Sequence, residues 1–362
     1  MKKTVSLLLS AIIVFSALSI SACAVDGKHG DLNIMTYNVS GIPIFGDTQG
    51  SQRKLRGDAR MAKIGELLCN ESGCDLIGTQ EDFNNHDALA AATPAFPYQT
   101  LTSGGLPLGD GLNVFSKYPI YNVTRTKWDS CYGVVSGSAD RLAEKGILSC
   151  VVEIEEGVYI DFFVVHADAG VDSKSVEARA DNFRQIADII NSREDDRAAI
   201  VIGDFNYKYE RNLNDKFYEN LVSAAGLTDC WTELCNGGDY SYDNGENWNP
   251  SLNESLDKVM FKNGSGIEFT PDSLEYIEFK DADGKTYTDH ISTKVSISYT
   301  VTGETNAPSS LKTQEPIDEK QRTFDEFKAV INAVVLVFTN LHELFYLIGQ
   351  GFDLIGDAIK GS

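Results

Sequence analysis

Six short polar segments stand at the ends of apolar runs, where side chains can leave a core and meet in a cleft. They are Thr36-Tyr37-Asn38, Thr79-Gln80-Glu81, Val165-His166, Gly203-Asp204-Phe205-Asn206, Leu256-Asp257-Lys258-Val259 and Thr288-Asp289-His290. Carboxylates, carboxamides and imidazoles are the groups that hold a hard divalent cation, orient water and move protons. In Gly203-Asp204-Phe205-Asn206 a period of two puts Asp204 and Asn206 on one side and Phe205 on the other. Gly203, lacking a side chain, leaves room for a phosphate to approach the backbone. Taken singly, each segment is commonplace, since an isolated Asp-His or Gln-Glu pair usually caps a turn. Their order along one chain carries the information.

The elements that must position these groups follow from periodicity. Leu32–Tyr37 and Val295–Val301 alternate as half-buried strands, while Asp75–Thr79, Val158–Val165 and Ala198–Gly203 are short apolar runs expected to be buried strands. Met61, Ile64, Leu67 and Leu68 keep helical spacing, as do Val176, Ala180, Phe183, Ala187 and Ile190. Strands and helices interleaved in this way predict an α/β sandwich on mixed, mainly antiparallel sheets over 31–301. A Thr, Ser, Pro and Asn-rich stretch follows and reads as a linker over 302–322. Beyond it, over 323–360, Phe324, Phe327, Ile331, Val334, Phe338, Leu341 and Phe345 begin a heptad stripe on a single amphipathic helix.

The ordered set resembles the endonuclease/exonuclease/phosphatase superfamily. Asn38, Gln80-Glu81, Gly203-Asp204-Phe205-Asn206 and Thr288-Asp289-His290 fall where that family has Asn, Gln-Glu, Gly-Asp-x-Asn and Ser-Asp-His, with Thr288 in place of the serine. The resemblance implies a four-layer α/β sandwich, two mixed sheets flanked by helices, and a phosphoric ester hydrolase using Mg²⁺, with Mn²⁺ or Ca²⁺ as alternatives. It further implies that Glu81, Asn38 and Asp289 hold the metal, and that His290, oriented by Asp257, is general base to the attacking water. Asp204 and Asn206 would position the nucleophile and a phosphate oxygen, and His166, if protonated, would neutralise charge or protonate the leaving oxygen. Asp82 and Asp168 are acidic extras beside these positions. Lys145 has two open readings, a phosphate partner or a solvated turn residue.

The histidine of Val164-Val165-His166 matches the two-histidine branch of the superfamily. Gly109-Asp110-Gly111-Leu112, Asp140-Arg141-Leu142-Ala143-Glu144-Lys145-Gly146 and the run after His166 look like bacterial sphingomyelinases. The expected substrate is therefore a phosphoester, a phospholipid head group first. A nuclease, an inositol-phosphate phosphatase and a non-catalytic surface-binding lipoprotein are the alternatives.

Lys2, Lys3 and an apolar run from Val5 to Leu18 describe an export signal, expected over 1–22, with a tether over 23–30. Ile20-Ser21-Ala22-Cys23 resembles a lipobox, which would put a lipidated Cys23 at a cell surface; cleavage after Ala24 is the other reading. Removing Cys23 leaves six cysteines in close pairs, 69/74, 131/150 and 230/235, expected as local disulfides in an oxidising compartment. The net charge of −22 repels polyphosphate backbones and weighs against tight nucleic-acid binding. The apolar stripe after residue 323 must be covered by the catalytic domain, by another copy in self-association, or by a membrane surface.

Overall fold

The protein is described from a computed structural model over residues 27–42, 55–107, 109–134, 137–193, 195–209, 214–240, 254–315 and 318–341. The expected signal segment, Cys23 and the end of the expected terminal helix (342–360) lie outside the described residues.

One sheet is built from β1 (His29–Asn38), β2 (Leu76–Gln80), β3 (Tyr98–Gln99), β4 (Asn113–Ser116), β11 (Ile267–Ile277) and β12 (Ser292–Val301), in the order β11-β12-β1-β2-β4-β3. The other holds β5 (Ile120–Lys127), β6 (Gly146–Glu155), β7 (Val158–His166), β8 (Ala199–Asp204), β9 (Thr228–Asp229) and β10 (Asp257–Lys262), in the order β5-β6-β7-β8-β10-β9. β1–β2 and β7–β8 are parallel pairs and the remaining pairs are antiparallel, so both sheets are mixed.

Alternation along the strands makes the layers. Ile160, Phe162 and Val164 of β7 and Ile200 and Ile202 of β8 face the other sheet, meeting Leu32, Ile34, Leu76 and Val114 in a core between the sheets. Their neighbours Phe163, Val165, Ala199 and Val201 turn the opposite way, onto Phe183, Ile186, Ala187 and Ile190 of α3 (Ser173–Asn191). Met35, Tyr37 and Ile77 similarly meet Met61, Ile64, Leu67 and Leu68 of α1 (Gly57–Asn70). Helix, sheet, sheet and helix are the four layers expected from the sequence, and they explain why β7 and β8 are apolar on both faces. Two shorter helices, α2 (His86–Ala91) and α4 (Cys230–Asn236), complete the domain.

The terminal helix α5 spans Glu319–Thr339, its start capped by the Asp318 carboxylate, which accepts from the amides of Lys320 and Gln321. The preceding stretch is not free: Gly157 O accepts from Thr305 Oγ1 at 2.7 Å, Asn122 exchanges hydrogen bonds with Ser310 and Lys312, and Gln314 Oε1 accepts from Leu101 N at 2.8 Å. No helix among the described residues is long and apolar enough to cross a membrane.

The expected disulfides are corrected. Cys69, Cys74, Cys131, Cys150, Cys230 and Cys235 are all free thiols. Cys230 and Cys235 lie five residues apart on α4, about 140° round the helix, and cannot face one another. Cys150 is buried between the sheets while Cys131 is exposed. Cys69 Sγ and Cys74 Sγ turn to different carbonyls, of Ala92 and Ser72.

Candidate active site

Strand register places three polar side chains in one row. His166 ends β7, Asp204 ends β8 and Asp257 begins β10, and the pairing sets His166 opposite Asp204 and Asp257 opposite Asp204. Asn38 and Gln80 form the matching row at the ends of β1 and β2 in the other sheet. The two rows meet through Asn38, which is fully buried: its Nδ2 donates to Glu81 Oε1 at 3.1 Å and to Asp204 Oδ2 at 3.1 Å. His290 Nε2 lies 3.7 Å and His166 Nε2 3.6 Å from the same Asp204 oxygen. Laid end to end, these contacts keep Glu81 Oε1 within about 10 Å of His290 Nε2.

Ser40 extends the chain of contacts. Its amide donates to Asn38 Oδ1 at 2.9 Å and its hydroxyl donates to Asp289, which is exposed at the rim. Arg60 of α1 fastens the same loop from behind, donating to the carbonyls of Val39, Ser40 and Tyr287 and so tying the Asn38 segment to the Asp289-His290 segment. Neither Ser40 nor Arg60 stood out in the sequence; the only signal was a polar residue two beyond Asn38.

Backbone strain gathers here. Ser40 (φ +49°), Glu81 (φ +56°) and Asn206 (φ +50°) are non-glycine residues in the left-handed region. Such placements persist where the surroundings over-determine them, and they mark functional turns. At Glu81 those surroundings are glycines: a Cβ on Gly41 would stand 2.2 Å from Glu81 O, and one on Gly111 would meet Glu81 Cα at 3.1 Å and the Phe83 ring at 2.7 Å.

Gly203 has a different purpose from the one expected. A Cβ there would stand 2.0 Å from Val165 O, so its bareness lets β8 lie against β7, not a phosphate against the backbone. The period of two also stops at Asp204, where β8 ends. Asn206 returns to the site through its left-handed turn, its amide bound to Asp204 Oδ1 at 2.8 Å and its Nδ2 donating to Ala167 O at 3.0 Å.

His290 and Asp257 form a dyad, with Nδ1 to Oδ2 at 2.8 Å. Thr288 Oγ1 accepts from His290 N and donates to His290 O, the work the family's serine hydroxyl can also do. Burial opposes the charged imidazole, but Asp257 and Asp204 outweigh it and raise His290 to about 10. Burial pushes Asp257 up to about 6 despite His290. For Asp204 burial acts upward too, yet His290, His166 and Lys145 hold its carboxyl below the ordinary range. His166 is driven the other way: burial, with Lys145 and His290 adding to it, keeps the imidazole well below its usual value and neutral. The protonated form expected of His166 therefore does not fit its surroundings.

Lys145 is buried and ion-paired with Asp140, its charge facing Glu81 and Asp204. The solvated-turn reading of Lys145 is thereby excluded. Asp168 belongs to the same group: it accepts from Tyr132 N, and burial beside Asp140 raises it to about 8. Asp82 turns away, accepting from Asn113 and pairing with His86 at 2.6 Å.

Two groups offer ligands to a cation. Asp204, Asp257 and His290 present atoms within 4.8 Å of one another, but there the imidazole is held protonated between carboxylates and repels a second positive charge. Glu81 fits better. It is half-buried, burial raises its carboxyl, and one oxygen is engaged by Asn38. Glu81 and Asn38, with Asp289 linked to Asn38 through Ser40, offer oxygen donors of the kind that a hard divalent ion takes.

The Endonuclease/Exonuclease/phosphatase family model matches residues 35–290. Curated sphingomyelinases of Mycobacterium bovis and Mycobacterium tuberculosis are 27% identical over 282 residues, covering 76% of this chain and 54% of theirs. The chain thus spans about half the length of those relatives. Among solved structures, a Staphylococcus aureus beta toxin superposes with a TM-score of 0.50 at 18% identity, covering 73% of this chain and 99% of that one. A humanized D. rerio TDP2 gives 0.52 at 15%, covering 74% and 98%. At these identities the structural likeness speaks to the fold.

Proposed function

Because the chain belongs to the endonuclease/exonuclease/phosphatase family, we propose that it is a divalent-cation-dependent phosphodiesterase of sphingomyelinase or phospholipase C type, releasing a phosphorylated head group. The observation that carries this is Asn38 bridging Glu81 and Asp204 beside the His290–Asp257 dyad. The sphingomyelinase relatives support the choice of lipid.

The reaction is in-line attack of water at phosphorus. Glu81, Asn38 and Asp289 would hold the cation, with Mg²⁺ the first choice, which would supply positive charge to stabilise the phosphate. Asp257 holds the His290 ring in place, and Nε2 takes the water's proton once the ring has released its own, a release that the charge of a bound cation would favour. Asp204 and Asn206 orient the water, and Lys145 adds positive charge to the floor of the cleft. Neutral His166 contributes a hydrogen bond and no charge. The export signal and lipid-modified Cys23 would bring this site to a cell surface, a proposal that the mass of the mature protein tests.

Purified protein given sphingomyelin and Mg²⁺ is expected to release phosphocholine, and Glu81→Gln or a chelator to abolish release by about a thousand-fold or more. Rapid nicking of plasmid DNA with no phosphocholine would overturn the substrate, and release of free phosphate from inositol phosphates would redirect it. Activity indifferent to both the substitution and the chelator would leave a non-catalytic scaffold.

A further inference from the structure

The terminal helix keeps its bulkiest apolar residues away from the domain. The side chains that it turns to the domain include Arg322, Asp325, Ala329 and Ala333, which line a crevice of about 610 Å³ shared with Arg141, Leu142 and Glu144. Its apolar residues point outward, with Phe327 63% and Phe338 68% exposed, and Phe324, Ile331, Val334 and Val335 beside them. The apolar stripe was expected to be covered, with the domain as one candidate; the domain instead faces a mixed side that holds Arg322, Asp325, Ala329, Ala333 and Leu336.

The strap that precedes it is tied to the domain as far as Gln314. That strap is tied to Gly157 at the β6–β7 turn, then to Asn122 in β5 and finally to Leu101, carrying the chain back along the sandwich to the end where the site lies. The crevices under α5 are bordered by the residues just before Lys145 and just after Glu81: Arg141–Glu144 on one side, Phe83–Asp87 on the other. An outward apolar face thus lies over loops that adjoin Glu81 and Lys145 in the chain.

We propose that this face of α5 docks the enzyme on a zwitterionic phospholipid surface and presents the cleft to head groups, an inference that rests on the phospholipid reading above. The width of the face favours a bilayer over a second copy. Phe324, Phe327, Ile331, Val334, Val335 and Phe338 span about 100° at 100° per residue, broader than a coiled-coil seam. Charge favours a zwitterionic surface: Glu319–Thr339 carries three acidic and three basic residues, a net of zero, on a chain of −22.

The test compares the full chain with Phe327→Glu/Phe338→Glu, both carrying Cys23→Ser so that no acyl anchor contributes. Flotation with phosphatidylcholine vesicles in EDTA is expected for the parent and to fall about ten-fold in the variant, while hydrolysis of soluble bis(p-nitrophenyl) phosphate with Mg²⁺ stays within about two-fold. No flotation of the parent, or equal flotation of both, overturns the proposal. So does a parent that sediments as a dimer and a variant that sediments as a monomer with flotation unaltered, which would assign the face to a second copy. Should the charged variant fail to fold, Phe338→Trp reports instead: its emission is expected to shift to the blue on vesicles, and unchanged emission overturns docking. Vesicle binding without phosphocholine release from sphingomyelin would reject the head-group reading alone.

Discussion

Replacing Asn38 by aspartate puts a third carboxylate where one carboxamide bridges two. Each neighbouring oxygen is 3.1 Å from Asn38 Nδ2, a separation at which like charges repel by about 5 kcal/mol per pair at an effective dielectric of about 20. Two such pairs cost more than taking up a proton, so the folded variant holds one there at neutral pH. The penalty is then set by the pH: about 1.5 kcal/mol at pH 5 and about 4 kcal/mol at pH 7, from an ordinary aspartate value near 3.9. The sign follows from linkage. The folded pKa is raised, the unfolded chain releases the proton above about pH 4, and stability falls as pH rises from there to 7. Urea unfolding in EDTA at both pH values measures it, and the gap between wild type and Asn38→Asp is expected to widen by about 3 kcal/mol from pH 5 to pH 7. Millimolar Mg²⁺ should recover more stability in the variant than in the wild type, because the added carboxylate is a ligand. A gap that does not change with pH would refute the placement of Asn38 between two ionised carboxylates.

Nitrogen-detected NMR of the His290 ring in EDTA is expected to show it protonated beyond pH 8, since its carboxylate neighbours raise it to about 10. Asp257→Asn should bring that titration down, and an unmoved titration would deny the dyad. In thermal melts Gly203→Ala is expected to cost about 3 kcal/mol or more, or to abolish soluble expression, because its Cβ meets Val165 O at 2.0 Å. Gly284→Ala, with open space around it and only a φ of +77° to strain, should cost about 1 kcal/mol in the same measurement. Thiol titration of the native protein should modify Cys131 and Cys235 first, with Cys150 and Cys230 reacting only on unfolding; fewer thiols than expected in the denatured chain would restore a disulfide.

What could be read from the sequence was what strand periodicity controls. A side chain at the end of an apolar strand projects from the rim of a sandwich, and Asn38, His166, Asp204 and Asp257 do so in two facing rows. Glu81 and Asn206 lie just past strand ends, where a left-handed residue redirects the chain, and periodicity no longer says which way a side chain points. Arg60 and Ser40 escaped because they act on backbone carbonyls and neighbouring side chains contributed by distant segments. The cysteine pairs misled because closeness along a helix or across a turn is not closeness of sulfur atoms. The apolar stripe of α5 was plain, but nothing in a stripe says which side the domain will take.

The candidate catalytic groups are divided between two sheets that meet through a shared hydrophobic filling and, at its rim, through the Asn38–Asp204 hydrogen bond. Gly78 of β2, three residues before Glu81, has Ile202 and Val164 of the opposing sheet so close that a methyl would press them at 2.6 and 2.7 Å. The thickness of that filling is therefore a caliper for the gap between Glu81 and Asp204. Widening it from within, by Gly78→Ala, should loosen the Asn38 bridge and weaken the proposed cation affinity without altering Glu81, Asn38 or Asp289.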